Sequence, residues 1–245
     1  MKTNLACVST MIILFVVSTN IQAQDDYTMF LGMYLDPIPG QSVELVKGVK
    51  AHNAKYHAEG DDKAYLWNIL TGPRSGQFSW AQGPIKYAKL NEALSEEHQM
   101  DWDSNVASKC RNVGEIRMFR RAEDHTYNPE GEVIGKNVLA RMFYGVSDQG
   151  AAMEVVLKIK ETLEANKADY ARRVYVTDFR TRENESIMLI YPFDDWTEME
   201  TRKGLGPNFG EQFDKVHGDG AWAKNSEKLS ASTEGWYDEI RVMVE

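Results

Sequence analysis

Cysteine is scarce in this chain of 245 residues, which contains only Cys7 and Cys110. Cys7 lies in a leader-like N-terminal segment, so the mature protein is expected to keep Cys110 alone and to form no disulfide within the chain. No histidine lies near Cys110 in sequence, and a single thiol of this kind is typical of a small buried apolar residue. The fold must therefore be held together by a packed core.

The chain also lacks the motifs of nucleotide-binding and hydrolytic enzymes. It contains no Gly-x-Gly-x-x-Gly, no Gly-Lys-Ser/Thr phosphate loop, no His-Glu-x-x-His and no Gly-x-Ser-x-Gly. Clustered basic residues are missing too, and the formal net charge is −9. Because binding of nucleic acid requires clustered Lys and Arg to neutralise phosphates, no nucleic-acid partner is expected.

Long apolar runs are limited to one, from Leu5 to Val17, which follows the basic Lys2. A short apolar run with a basic start and small residues after it is typical of a secretory signal peptide, here cleaved after Ala23. The run is shorter than the roughly 20 residues of a membrane span. We therefore expect a protein exported to the periplasm or the extracellular space, soluble after cleavage, with no membrane or lipid anchor.

The remaining sequence resembles itself at an offset of 110 residues. The offset aligns Tyr34 with Tyr144, Glu44 with Glu154, Lys50 with Lys160, Ala58 with Ala168 and Tyr65 with Tyr175. The tripeptide Glu-Ile-Arg also occurs twice, at 115–117 and 239–241. Shared pattern and spacing indicate an internal repeat. The predicted organisation is a signal peptide at 1–23, a first repeat at 24–120, a polar linker at 121–135 and a second repeat at 136–245.

Each repeat has the element order β-α-β-β-α-β of a ferredoxin-like unit. Strand and helix periodicities predict, in the first repeat, strands at 28–35, 64–70, 77–81 and 114–120, with helices at 41–58 and within 84–110. In the second repeat they predict strands at 137–145, 173–180, 186–191 and 237–244, with helices at 150–169 and within 194–232. The predicted fold class is α+β, with two tandem ferredoxin-like units.

This element order resembles the dimeric α/β-barrel superfamily over essentially the whole mature chain, although no diagnostic motif is present. The superfamily includes antibiotic-biosynthesis-type monooxygenases, stress-responsive barrel proteins, NIPSNAP-like proteins and haem-handling chlorite dismutases. The resemblance implies that the two units pack sheet to sheet as one α/β barrel, with the helices outside. It implies no single function, because such folds carry many.

Strand alternation then predicts which side chains face the barrel interior. On the second strands Tyr65, Trp67 and Tyr175 point inward, whereas Ala64, Leu66, Val174 and Val176 face the helices. On the last strands the inward residues are Glu115, Arg117, Glu239 and Arg241, whereas Ile116, Met118, Ile240 and Val242 face the helices. The aromatic residues are expected to contact a small apolar or aromatic ligand, and the arginines to hold its anionic or carbonyl group. The structural alternative is that these Glu and Arg residues form solvated cross-strand pairs.

Two other hypotheses remain open. One is a barrel enzyme, either a cofactor-free monooxygenase with Arg141 or Asp178 near its substrate, or a haem enzyme with His98 or His217 as axial ligand. The other is an interaction protein with a solid core. The ligand-binding hypothesis itself requires no cofactor. Exposed strand edges make a homodimer a further alternative.

No metal site is expected from the sequence. His52 and His57 are five residues apart, which on a continuous helix places them about 140° apart. Glu123, Asp124 and His125 are metal-ligand types, but they fall in the linker, where a solvated charge run is the default.

Overall fold

A computed structural model describes residues 29–129, 131, 135–201 and 208–244. The expected signal peptide lies outside the described residues, as do part of the linker and most of the glycine-rich segment at 204–210. None of the helices in the described ranges has the length and apolar character needed to cross a bilayer.

Nine strands and six α-helices make up the described part of the chain. The strands are β1 (Met29–Pro37), β2 (Ala64–Ile69), β3 (Phe78–Ile85), β4 (Cys110–Val113), β5 (Arg117–Arg121), β6 (Asn137–Tyr144), β7 (Arg173–Thr177), β8 (Glu185–Phe193) and β9 (Gly235–Met243). The helices are α1 (Ser42–Tyr56), α2 (Glu96–Asn105), α3 (Gln149–Ala165), α4 (Thr197–Thr201), α5 (Phe209–His217) and α6 (Ala221–Ser232).

Eight of the strands form a closed antiparallel barrel. Their order around the ring is β1, β3, β2, β9, β6, β8, β7 and β5, and β5 pairs with β1 to close it. The ninth strand, β4, pairs with β1 beyond the end of β5. The predicted α+β barrel is confirmed. Closure of the ring leaves its eight strands without an unpaired edge. Among the described residues, β4 is the strand outside the ring at the end of the sheet order.

Each half of the chain contributes four barrel strands in the ferredoxin-like order. The first half has the order β2, β3, β1, β5, and the second has the order β7, β8, β6, β9. The halves are joined edge to edge at two seams, β5 with β7 and β2 with β9. The same order in both halves agrees with an internal repeat, although the repeat as a relation between the two sequences stays a prediction.

The larger helices cover the outside of the barrel, where their apolar stripes meet the outward side chains of the strands. In the second half, Val155, Val156 and Ile159 of α3 pack against Val174 and Val176 of β7, together with residues of α5. The first turn of α3 is capped by Asp148, whose carboxylate accepts a hydrogen bond from the Ala151 amide at 2.9 Å.

In the first half, Leu45 and Val49 of α1 pack against Leu66, Phe78 and Trp80. Leu66 and Val176 therefore face helices, as strand alternation predicted.

The segment that follows β5 packs on the second half. Ala122 belongs to the core beneath α3, and Tyr127 pairs with Arg172 through a single β-bridge. The described part of the polar segment 121–135 is therefore attached to the second unit, while its exact boundaries as a linker stay a prediction.

The predicted closing strand of the first half, 114–120, is in fact interrupted. Both β4 and β5 pair with β1, but residues 114–116 between them belong to neither strand. At this break the Gly114 amide donates a hydrogen bond to the Tyr34 carbonyl at 2.7 Å. The interruption shifts the alternation, so Ile116 is 60% exposed instead of covered by a helix. Its counterpart Ile240, inside the unbroken β9, is buried.

Candidate functional site

The barrel contains a cavity of about 800 Å³ between its strands. The pairing of strands along β1 defines the two ends of the cavity. At one end Met29, the first residue of β1, pairs with Arg120 and Ile85. Toward the other end Gly32 pairs with Arg117, and Tyr34 pairs with Ser79. Apolar and aromatic side chains line most of the cavity: Phe30, Leu31, Met33, Tyr65, Trp67, Phe119, Val138, Tyr175, Met188 and Ile190.

The aromatic part of the cavity wall contains two pairs of rings in contact. Tyr65 and Trp67 project from β2 with ring centroids 5.6 Å apart, and Phe30 meets Tyr175 edge to face at 5.7 Å. Strand alternation predicted this inward placement of Tyr65, Trp67 and Tyr175. Such a wall offers a flat apolar molecule both contact area and ring-stacking surfaces.

Arg117 and Arg241 line the cavity at the end near Tyr34. The guanidinium of Arg241 donates a hydrogen bond to the Tyr34 hydroxyl at 2.8 Å and another to Ser79 Oγ at 3.2 Å. Arg117 lies over the Tyr34 ring with its guanidinium carbon 4.2 Å from the ring centroid. Arg74 also lies 4.2 Å from this centroid. The ring of Tyr34 thus orients two guanidinium groups through cation–π contacts.

Two carboxylates with no exposed surface hold these arginines. Glu239 accepts from Arg241 Nη2 at 2.6 Å and from Arg74 Nη1 at 3.2 Å. Glu185 accepts from Arg74 Nη2 at 2.7 Å and from Arg117 Nη1 at 2.6 Å. The buried set therefore contains three guanidinium groups and two carboxylates, and a third carboxylate, that of Glu183, lies 3.8 Å from Arg74 and balances the charge. The half-exposed Glu183 also pairs with Arg117, at 2.7 Å.

Two phenols belong to the same network. Tyr237 donates to Glu185 and accepts from Arg74. Burial is the main cause that raises the pKa of both Tyr34 and Tyr237, partly opposed by nearby guanidinium groups. Both hydroxyls therefore keep their protons at neutral pH, so they add no negative charge to offset the arginines.

Two donors at the cavity are central to the proposed site, because they are buried and make no hydrogen bond. They are Nε of Arg117 and the indole Nε1 of Trp67, and both residues line the cavity. An unsatisfied buried N–H group is costly, on the order of 1–3 kcal/mol. A ligand that brings an acceptor to either atom would recover that free energy.

The structure brings five of the seven predicted ligand-contacting residues to the cavity wall: Tyr65, Trp67, Tyr175, Arg117 and Arg241. Glu239 lies behind Arg241 and orients it, as expected. Glu115 does not line the cavity, because it precedes β5 and its carboxylate accepts from the Arg182 amide at 2.7 Å. Its closest approach to Arg117 is 3.8 Å, and Glu185 takes the orienting position instead.

Sequence reasoning missed several members of this network, among them Tyr34, Arg74 and Glu185. The side chain of Tyr34 points from β1 into the barrel. Its alignment with Tyr144 in the internal repeat was the feature of the sequence that could have indicated it. Arg74 lies in the hairpin between β2 and β3, and Glu185 lies at the start of β8. Both belong to turn-rich sequence that gives no sign of burial.

The polar residues considered for the enzyme hypothesis lie away from the cavity lining. Arg141 forms a bidentate pair with Asp238, at 2.8 Å for each bond. Asp178 accepts from Tyr87 at 2.7 Å and from Arg120 at 3.1 Å. The described cavity lining includes neither residue.

The haem hypothesis also requires a histidine at the cavity, and the described lining contains none. His217 contacts α3, with Nε2 2.9 Å from the Lys158 carbonyl oxygen. His98 lies on α2, outside the barrel. The cavity residues therefore do not fit haem ligation by histidine.

The angle of about 140° expected between His52 and His57 on a continuous helix does not hold in the structure. Helix α1 ends at Tyr56, and His57 has non-helical angles of φ −135° and ψ 32°, so the helical spacing does not apply to it. The rings of His52 and His57 have centroids 5.2 Å apart, and His98 of α2 joins them. In the linker, Glu123 instead pairs with Arg121 at 2.8 Å.

No family model and no curated protein matches the chain, but solved structures match it. A candidate monooxygenase from Fusobacterium nucleatum aligns with a TM-score of 0.57 and 8% identity, covering 89% of this chain and 93% of that one. An anthrone oxidase-like protein aligns with a TM-score of 0.56 and 16% identity, covering 91% and 93%. The fold is shared.

A candidate monooxygenase from Lactobacillus acidophilus aligns with a TM-score of 0.52 and 11% identity, covering 88% of this chain and 94% of that one. At such identities these similarities concern the fold alone, and the site must be interpreted from its own residues.

Proposed function

We propose that this protein binds a small, flat, mostly apolar molecule with one anionic group inside the barrel. The observation that carries the proposal is a cavity of about 800 Å³ with aromatic walls and two arginines at one end. Its size is within the range of small-molecule sites. Guanidinium groups favour an anion because they form charge-assisted hydrogen bonds with it, and the Nε of Arg117, which lacks a hydrogen-bond partner, offers it a donor.

The two parts of the site have different roles in this proposal. Tyr65, Trp67 and Tyr175 supply apolar contact area, which drives binding without selecting charge. Arg117 and Arg241 select the anion, since their guanidinium groups are already oriented by Glu185 and Glu239. Little side-chain entropy is then lost on binding, which strengthens the interaction.

Two fluorescent probes test the separate roles. Anilinonaphthalene sulfonate and N-phenylnaphthylamine share a ring system, but only the first is anionic. We expect both to bind, and the Arg117→Met and Arg241→Met substitutions to weaken the sulfonate by roughly tenfold to a hundredfold each, as loss of a charged hydrogen bond implies. The neutral probe should bind with little change.

Arg120→Met is the matched control. Arg120 also lies on β5, but its side chain is ion-paired with Asp178 and does not line the cavity. Its substitution should therefore leave the binding of both probes unchanged. Neither substitution leaves a buried carboxylate without a partner. In Arg117→Met, Glu185 still accepts a hydrogen bond from Arg74, and in Arg241→Met, Glu239 still accepts one from Arg74. Circular dichroism verifies that both variants fold. Equal weakening of both probes, or no weakening of the sulfonate, would refute the anion role.

A cofactor-free oxygenase is a second candidate, favoured by the same pairing of an apolar cavity with guanidinium groups. Such groups would stabilise the enolate of a substrate like anthrone, and this electron-rich anion is the form that reacts with O₂. Anthrone would be converted to anthraquinone: its methylene carbon loses two hydrogens and gains one oxygen atom of O₂, and the other atom leaves as water. Oxygen uptake with anthrone, absent in Arg117→Met, is the expected result, and an uptake equal to that of buffer would exclude this candidate substrate.

Export is part of the proposal. The apolar segment from Leu5 to Val17 supports it, and N-terminal sequencing of protein recovered from outside the cytoplasm should begin at Gln24. A chain that stays in the cytoplasm and begins at Met1 would contradict it.

A further inference from the structure

We propose that His52, His57 and His98 form a binding site for a divalent transition-metal ion of the Zn²⁺ class, with an open position for a fourth ligand. The site lies outside the barrel, between the end of α1 and the start of α2, and is separate from the cavity. One ring nitrogen of each histidine lies within 4.8 Å of the other two.

The distances between these nitrogens are close to those of a zinc site. Nε2 of His52 is 3.1 Å from Nε2 of His98. Tetrahedral zinc with nitrogen ligands at about 2.0–2.1 Å sets the ligand atoms roughly 3.3 Å apart. His57 must move inward by about an ångström or more to complete the set. Its side-chain torsion angles must supply this movement, because its amide donates to the Asn53 carbonyl and its carbonyl accepts from the Ala64 amide.

The outer nitrogens of two rings are already held. His52 Nδ1 lies 2.7 Å from the Asp101 carboxylate, and His57 Nδ1 lies 3.0 Å from the Asp62 carbonyl oxygen. Both partners are acceptors, since one is a carboxylate and the other is a backbone carbonyl. Each Nδ1 therefore carries the proton, and each Nε2 presents a lone pair. Metal-binding histidines typically have this second-shell arrangement.

Imidazole binds a metal ion in its neutral form, through the lone pair of one ring nitrogen. In the metal-free protein Nε2–H of His98 can donate to the His52 lone pair, and a bound ion would take the place of that proton.

Local structure fixes the third histidine. Ser95 caps α2, and its hydroxyl accepts from the His98 amide at 3.1 Å, which sets His98 in the first turn of the helix. Its ring stacks on Tyr56 at 4.1 Å with an interplanar angle of 5°. His52 and His57 are buried, whereas His98 is only partly buried. The site is thus accessible from the His98 side, which is where a fourth ligand such as water would enter.

The ligand type indicates the metal. Three imidazoles without a thiolate or a carboxylate in the inner set suit Zn²⁺, Cu²⁺, Ni²⁺ or Co²⁺ and disfavour Ca²⁺ and Mg²⁺, which prefer oxygen. Three protein ligands with an open fourth position are typical of zinc sites that bind a water or a substrate.

Calorimetric titration of the untagged, metal-stripped mature protein with ZnCl₂ tests the proposal, and Co²⁺ absorption reports coordination geometry. We expect one ion per chain and visible bands of tetrahedral Co²⁺. His98→Ala should weaken Zn²⁺ binding at least a hundredfold and abolish the bands. Asp101→Asn, which removes only the charge behind His52, should weaken binding about tenfold to a hundredfold.

His125→Ala is the matched control, since it removes one histidine that lies outside this cluster. It should bind Zn²⁺ like the unmodified protein. Absence of saturable binding would overturn the proposal, and so would equal affinity in His98→Ala and His125→Ala. Far-UV circular dichroism of each variant verifies folding, and binding of the naphthalene probes should not change, because the cavity is separate.

Discussion

Glu185 and Glu239 show how individual side chains constrain this molecule. Each is a carboxylate without solvent exposure inside a barrel whose cavity is otherwise mostly apolar. A buried charge is tolerated only when partners compensate it, and these two share Arg74 between them. The network is therefore a structural requirement as well as a candidate binding surface.

Glu185→Gln should lower the free energy of unfolding by about 3 kcal/mol or more. The substitution leaves three buried guanidinium groups with one buried carboxylate, and breaking a buried ion pair from one side costs about 3–5 kcal/mol. Urea denaturation measures the change. Glu154→Gln is the control, because Glu154 forms solvent-exposed pairs with Lys158 and Lys228, and such pairs contribute little to stability. Equal effects in the two variants would contradict the role given to burial.

Cys110 should react slowly with alkylating reagents. Its thiol donates to the Val106 carbonyl at 3.5 Å, and burial, with a smaller contribution from Asp36, raises its pKa from 9.0 to about 11. At pH 8 this lowers the thiolate fraction about a hundredfold relative to an unperturbed thiol, and the thiolate is the reactive form. Iodoacetamide labelling of native protein, compared with urea-unfolded protein, measures the ratio. Equal labelling rates in the native and the unfolded protein would contradict a raised pKa of the native thiol.

At the residue scale the sequence predicted side chains on regular strands and failed at their ends. Tyr65, Trp67 and Tyr175 lie on unbroken strands, where a period of two fixes the inward face. Arg74 comes from a hairpin, and His57 lies just past a helix end. No periodicity applies in such places, so only the folded chain shows what they contact.

At the element scale, α1 packs closely against α2 on the outer surface of the first half. Gly48 lies where the helices meet, and a Cβ built there would be 1.9 Å from the Asn105 carbonyl oxygen. Backbone cannot yield as a flexible side chain does, so only glycine allows this approach.

Gly48→Ala should destabilise the protein by about 1–3 kcal/mol, the range for overpacking, despite the better helix propensity of alanine. Gly150→Ala in α3 is the matched control, because the new Cβ would meet only Asp148 Oδ1 at 3.5 Å. That variant should be neutral or up to about 1 kcal/mol more stable. Thermal denaturation of both decides the matter, and a stable Gly48→Ala protein would show that the helices separate without penalty.

Element order and approximate bounds were predictable, because long amphipathic helices and alternating strands carry their period in sequence. The break between β4 and β5 was not. The pairing with β1 shifts there by one residue, since Leu35 pairs with Val113 but Gly32 pairs with Arg117, and the Gly114–Tyr34 hydrogen bond beside the shift joins residues 80 positions apart. The exposure of Ile116 follows from this tertiary contact, which no local pattern reports.

At the scale of the whole molecule the barrel is closed by two short seams. Three residue pairs join β2 to β9 and three join β5 to β7, whereas eight join β6 to β9. The resemblance to barrel proteins predicted a shared interior from element order, but it could not give the register of the seams. Their shortness makes them the weakest part of the ring.

Hydrogen exchange should therefore be faster at the seams than in β6. The amides of Leu70 and Val244 bond across the first seam to Ile240 and Leu66. Local opening there disrupts few pairs, so their free energy of opening should be below that of β6 amides, which are flanked on both sides. Mass spectrometry of exchanged peptides measures this order. Uniform protection would mean that the barrel opens only by global unfolding.

The central claim is that the barrel cavity holds an aromatic anion with its charge at the arginines. A crystal structure of the protein with anilinonaphthalene sulfonate tests this most directly. The account predicts the rings against Tyr65, Trp67 and Tyr175, with the sulfonate within hydrogen-bond distance of Arg117 and Arg241. A probe bound outside the barrel would contradict it, and so would one whose sulfonate points to the opposite end, where Lys86, Arg121 and Arg173 line the cavity.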